Sequence, residues 1–152
     1  MCSSDLPFKE GDRLLVTDHE YNASRNALDF AAERFGLGID VVHIPFPLTS
    51  PDIVVDQVLD AIEPNTRLAL IDHVTSSTAL VLPLEFIITS LRDRGVRVLV
   101  DGAHAPGMLP LNLNHLNPDY YTGNCHKWMC APRGAAFLWV REEFQDEVRP
   151  LR

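Results

Sequence analysis

Lys127 stands between His126 and Trp128, away from the charged stretches of the chain, and the other lysine is Lys9. A lysine amine attacks a carbonyl carbon when desolvation or nearby positive charge makes its lone pair available. Asp101 closes an apolar run at 96–100, and a carboxylate in such a place needs a partner. A protonated ring nitrogen would be one, because it makes the ring an electron sink. His104, three residues on, can hydrogen-bond an oxygen of the same ring, and Tyr21 can stack on its face. These residue types could do amine-to-carbonyl chemistry on an aromatic ring, although each alone also reads as structure: a surface lysine in a loop, a strand-end aspartate capping the next turn, a satisfied core histidine and a packing tyrosine.

Metal chemistry is not expected. Cys125, His126 and Cys130 fall within six residues and lack the paired spacing of zinc sites. The three cysteines are an odd number without a CxxC pair, which fits a reducing cytoplasm better than a disulfide framework.

The elements that must position these groups alternate. Strands are expected at 13–17, 39–44, 67–71 and 96–100, with further strands at 120–122 and 135–140. Between them, helices are expected at 22–35, 51–62 and 84–94. The first has Ala23, Ala27, Phe30, Ala31 and Phe35 on one stripe and Gly36 as its stop. Ser50 can cap the second, with Pro51 at its first position. A short charged helix should begin near Arg141. Near-continuous apolar strands alternating with helices indicate an α/β fold, a mainly parallel sheet covered on both faces.

In such sheets ligands bind beyond the carboxyl ends of the strands. The polar runs Asp18–Asn22, Asp72–Thr78, Asp101–His104 and Asn124–Trp128 fall at those ends, so they should converge on one crevice.

Composition excludes other classes. Acids outnumber bases 21 to 13, for a formal net charge of −8, and the bases do not cluster, so nucleic acid is a poor partner. No apolar run approaches the roughly 18 residues of a membrane span, and the first residues have neither part of a secretory signal.

The run Val98 to Gly134 resembles the class V aminotransferase-like enzymes, which depend on pyridoxal 5'-phosphate (PLP). Its parts are Val-Leu-Val-Asp-Gly-Ala-His-Ala-Pro-Gly, then Asp-Tyr-Tyr-Thr-Gly-Asn-Cys-His-Lys-Trp, then Ala-Pro-Arg-Gly-Ala-Ala. The 26 residues from Asp101 to Lys127 suit that family's aspartate and lysine. The resemblance implies a PLP-transferase type I large domain and an amino-acid substrate. It implies Lys127 as the aldimine-forming lysine, Asp101 against the pyridine nitrogen and His104 near the phenolic oxygen. Tyr21 would stack on the ring, with Asn22 beside it among the cofactor contacts. Thr75 or Ser76 would contact the cofactor near the phenolic oxygen, and Asn124 and His126 the phosphate.

Asn124 and Cys125 depart from the small residues usual before that histidine, and the wording is most like isopenicillin-N epimerase-like proteins. A cysteine desulfurase or C–S lyase activity, and a truncated homologue that keeps only the fold, are the alternatives. Cys125 is not expected to be a desulfurase nucleophile, whose place by resemblance lies well beyond the lysine. The family's phosphate-binding loop and substrate-carboxylate arginine have no counterpart in this sequence. Residues 1–152 are therefore expected to be part of a large domain, incomplete at both ends, with 1–6 a non-native start. The full-length protein is expected to be a homodimer.

Overall fold

The structure, a computed structural model, describes residues 8–148. The expectation about residues 1–6 lies outside the described residues. Six strands form one sheet in the order β2-β1-β3-β4-β5-β6. They are β1 (Arg13–Thr17), β2 (Gly38–Val42), β3 (Thr66–Asp72), β4 (Arg97–Asp101), β5 (Tyr120–Asn124) and β6 (Ala136–Val140). The first five pair in parallel, and β6 returns antiparallel along β5.

The apolar strand runs follow from burial on both faces. Leu15, Ala69, Ile71, Val98, Val100 and Tyr121 enter one core, while Leu14, Val16, Leu68, Leu70 and Tyr120 enter the other. Successive strand residues point to opposite faces, so a doubly covered strand must be apolar throughout. Helices α2 (Pro51–Asp60) and α3 (Leu84–Asp93) cover the first face with Val54, Val58, Ile87, Ile88 and Leu91. Helix α1 (Asn22–Phe35) covers the second with Leu28 and Ala32. The expected mainly parallel sheet with helices on both faces is what forms.

Local signals set several boundaries. Ser50 Oγ accepts the Asp52 N–H at 3.2 Å, and Pro51 takes the first helical position of α2. Gly36 ends α1 with φ +67°, a left-handed conformation that favours glycine.

The inward stripe of α1 departs from expectation. Phe30 is 63% exposed, Phe35 and Ala23 are exposed, and the face toward the sheet centres on Leu28 and Ala32, one turn apart. Phe35 packs instead against Phe8, with ring centroids 6.3 Å apart. Strand β2 stops two residues short of the expected 39–44, because the Ile44 N–H turns to Asp18 Oδ1 at 3.0 Å. Helix α2 ends at Asp60 rather than residue 62, and α3 ends at Asp93. A short helix α4 (Leu113–Leu116), capped by Asn112, was not foreseen, and the charged segment after Arg141 is a 3-10 helix at Glu142–Glu147. Among the described residues no helix is long and apolar enough to cross a membrane.

The chain leaves β1 for the edge strand β2, then crosses back to β3 on the other side of β1. Loops leaving the carboxyl ends of β1 and β3 therefore diverge, and a crevice opens between them.

Candidate active site

Parallel register sets Asp72 of β3 directly beside Asp101 of β4, both at the carboxyl ends of their strands. The turn after β1 adds Glu20. Carboxylate oxygens of Glu20, Asp72 and Asp101 lie within 4.8 Å of one another. Asp72 is only 2% exposed, and among the described residues its Oδ2 has no hydrogen-bond partner; nor has Glu20 Oε2.

Burial, reinforced by the charge of Asp101, pushes Glu20 up to about 8. Burial, then the charges of Glu20 and Asp101, pushes Asp72 up to about 9. Both acids therefore keep their protons at neutral pH. Asp101 is held from two sides: Oδ1 accepts the Ala103 N–H at 2.9 Å, and Oδ2 accepts from Ser24 Oγ at 3.1 Å. Tyr121 packs beneath Gly102, where an added Cβ would lie 2.1 Å from the ring.

Lys127 lies in the loop between β5 and β6. The loop is tied at its base, since Ala135 O accepts the N–H groups of Cys125 and His126 at 2.9 and 3.2 Å. His126 Nδ1 lies 3.0 Å from the same carbonyl, so it donates there, and in the neutral ring Nε2 is an acceptor. Lys127 Nζ lies 3.0 Å from His104 Nε2, and Trp128 Nε1–H donates to His104 Nδ1 at 3.2 Å. Burial, then the Lys127 charge, holds the His104 pKa below its ordinary value. At Gly107 the backbone, with φ +85°, passes so near Trp128 that an added Cβ would lie 2.7 Å from the Trp128 carbonyl carbon.

The other expected residues are placed as follows. Tyr21 caps α1, its ring 55% exposed, with its N–H donated to Glu20 Oε1 at 3.0 Å. Asn22 opens the helix and is exposed. Thr75 is buried, and its hydroxyl is engaged in its own turn: it accepts the Leu80 N–H at 2.8 Å and meets Thr78 Oγ1 at 2.8 Å. Ser76 is exposed, which leaves it the better presented of the two. Asn124 ends β5, half-buried.

The aminotransferase class-V family model matches residues 1–152. The chain belongs to this family. Isopenicillin N epimerase of Amycolatopsis lactamdurans is 43% identical over 141 residues, 92% of this chain and 35% of that protein. A structure of the cystine C–S lyase C-DES with its product cysteine persulfide superposes with TM-score 0.87 at 31% identity, covering 95% of this chain and 39% of that one. A lysine-to-alanine variant of C-DES, with glycine covalently linked to its PLP cofactor, gives TM-score 0.87 at 30% identity over 95% of this chain and 38% of that one. The chain thus spans well under half the length of these relatives.

Within this class-V frame the site contains more than was anticipated. Glu20, Asp72, Ser24 and Trp128 received no role from the sequence, although Glu20, Asp72 and Trp128 stand in its polar strand ends. Their positions in those runs were the available signal. What the runs could not convey is strand register, which decides that Asp72 meets Asp101.

Proposed function

We propose that this chain carries the cofactor-binding part of a PLP-dependent enzyme acting on an amino acid, with Lys127 as the lysine that holds the cofactor. The observation that carries this reading is the Lys127–His104 contact at 3.0 Å, with His104 three residues beyond Asp101 at the carboxyl end of β4. The residues fit the cofactor by their chemistry. A corner of three acids with two unpartnered buried oxygens suits a cationic ring nitrogen, and an amine beside an imidazole suits an aldehyde and its neighbouring phenolic oxygen. Bound there, PLP supplies the electron sink for charge developing at the substrate α-carbon.

Each side chain then has a task. Asp101, fixed by Ser24 and the Ala103 N–H, accepts from the ring nitrogen. His104 hydrogen-bonds the phenolic oxygen, and Tyr21 with Asn22 covers the ring face. Ser76 or Thr75 contacts the cofactor near that oxygen, and Asn124 and His126 lie toward the phosphate. Lys127 would hold the cofactor and would move the substrate's α-proton as base and then acid.

Identity to the epimerase favours proton removal and return at one carbon as the net reaction. The structural likeness to a C–S lyase favours elimination at the next carbon as the second reading. The full-length protein is proposed to work as a homodimer.

The test uses full-length protein with added PLP. A visible absorption band that borohydride bleaches, with the reduced adduct mapped to Lys127, is expected. Lys127→Ala should lose the adduct at that position, and Lys9, at the opposite, amino-terminal side of β1, does not replace it. An adduct retained in that variant overturns the assignment. A wild-type protein that stays colourless indicates a homologue that keeps the fold alone. Deuterium uptake at the α-carbon without release of sulfide or persulfide separates epimerisation from the lyase reaction.

A further inference from the structure

The contacts of His104 leave few choices for where its proton sits. An indole N–H can only donate, so the Trp128 contact at 3.2 Å requires Nδ1 of His104 to be the acceptor. His104 is also held in its neutral form: burial, the largest influence on it, lowers its pKa, and the opposing pull of Asp101 is smaller. A neutral imidazole with a lone pair on Nδ1 carries its proton on Nε2. That N–H then points at Lys127 Nζ, 3.0 Å away. A lysine ammonium has three donors and no acceptor, so it would set N–H against N–H. The two contacts are satisfied together only when the lysine presents its lone pair.

From this we infer that Trp128 is a positioning residue that fixes the Nε2–H tautomer of His104 and, through it, keeps Lys127 as the bare amine, its lone pair resting on His104. The inference rests on the proposed role of Lys127 and deepens it. The bare amine is the form that can add to an aldehyde, and Trp128 favours that form before the aldehyde arrives. Trp128 does this from the rim of the site: its ring is 53% exposed and tilted 52° to the His104 ring, with centroids 6.4 Å apart. The backbone of Gly107, passing close behind the Trp128 carbonyl, fixes where the loop carries the indole. The groups that face His104 are Lys127 and Trp128 from the β5–β6 loop and Asp101 from the end of β4.

Two measurements on the full-length protein test this. The first is ¹⁵N NMR of His104 in cofactor-free protein, assigned with the His104→Gln variant. Wild type should show Nε2 as the protonated nitrogen, and Trp128→Phe, which keeps the ring and removes the donor, should shift weight to the other tautomer. A wild-type His104 protonated on Nδ1 overturns the inference, whatever any variant does. The second is the rate of PLP capture by Lys127, read as borohydride-fixed adduct between pH 6 and 9. Trp128→Phe should slow capture at pH 6 to 7 by about fivefold, the scale of one hydrogen bond, with the loss fading toward pH 9. An unchanged tautomer and an unchanged capture profile overturn the role of Trp128 while leaving Lys127 in place. If wild type captures no PLP at all, the proposed function fails, and the tautomer still decides the inference alone.

Discussion

The acid corner and the amine corner both lie beyond the carboxyl ends of the parallel strands, yet they are built by different means. Glu20, Asp72 and Asp101 are brought together by the ends of three neighbouring strands, and two of them are set in ladder register. Lys127, His104 and Trp128 come from two loops, tied by the Ala135 carbonyl and by close passage at Gly107. The first corner is buried enough to hold protons that water would strip. The second is half-open, and its state follows from hydrogen-bond direction rather than from desolvation alone. A rigid sheet can fix charge, whereas a tied loop can exchange partners, and the proposed chemistry asks each corner for what its construction supplies.

The comparison can be broken most forcefully at the acid side. Asp101→Asn removes the counter-charge to the ring nitrogen while leaving Lys127 free to capture PLP. In full-length enzyme α-proton exchange should fall at least ~100-fold, the scale for losing an electrostatic stabiliser, with capture nearly intact. Exchange within a few-fold of wild type would take Asp101 out of the site.

Gly107→Ala addresses the amine side. A left-handed φ and the Trp128 backbone 2.7 Å from the new Cβ should together cost about 1 kcal/mol or more, a fall of about 2–4 °C in Tm. PLP capture by Lys127 should slow several-fold. Equal capture rates in variant and wild type would show that the loop has slack.

A pH scan sharpens the contrast further. Glu20 and Asp72 titrate near 8 and 9 in the fold, against about 4.3 and 3.9 in an unfolded chain. Between those values the folded state binds more protons, so stability falls as pH rises and levels off only above the folded values. His73 and His104, whose pKa values are lowered, act in the opposite sense and only below about pH 6.5. From pH 7 to 9 the difference between wild type and Asp72→Asn therefore reads the acid. Cofactor-free wild type should lose about 3 °C of Tm per pH unit there, and Asp72→Asn should flatten that slope, whereas Gly107→Ala should not. Parallel slopes for wild type and Asp72→Asn would mean that Asp72 is ionised in the fold.

Much of the fold was legible because local chemistry decided it. Ser50-Pro51 and Gly36 marked helix ends by capping, and the continuous apolar runs marked strands buried on both faces. The facing of α1 was misread because alanine and phenylalanine at helical spacing do not reveal which side meets the sheet; Leu28 and Ala32 do. In the site, Lys127, Asp101 and His104 stood out through their apolar settings. The partnership of Asp72 with Asp101 and the reach of Trp128 to His104 depend on pairing across 29 and 24 residues, which spacing along the chain does not encode. The commitment of the Thr75 hydroxyl to Leu80 is likewise a property of the folded turn.

The pairing of Asp72 with Asp101 also bears on which changes in chain length the protein can absorb. Side chains alternate along a strand, so adding or deleting one residue within β4 would swing Asp101 to the opposite face of the sheet while leaving the apolar run nearly as apolar as before. The segment from Met108 to Pro118, which surrounds the short α4, lies outside the strand ladders, and although Leu109, Leu111, Leu113 and Leu116 pack against the first core, gains and losses there would leave the strand ends aligned. Insertions and deletions among descendants of this sequence should therefore gather between β4 and β5 and avoid β3 and β4, even though both strands are far more uniform in composition.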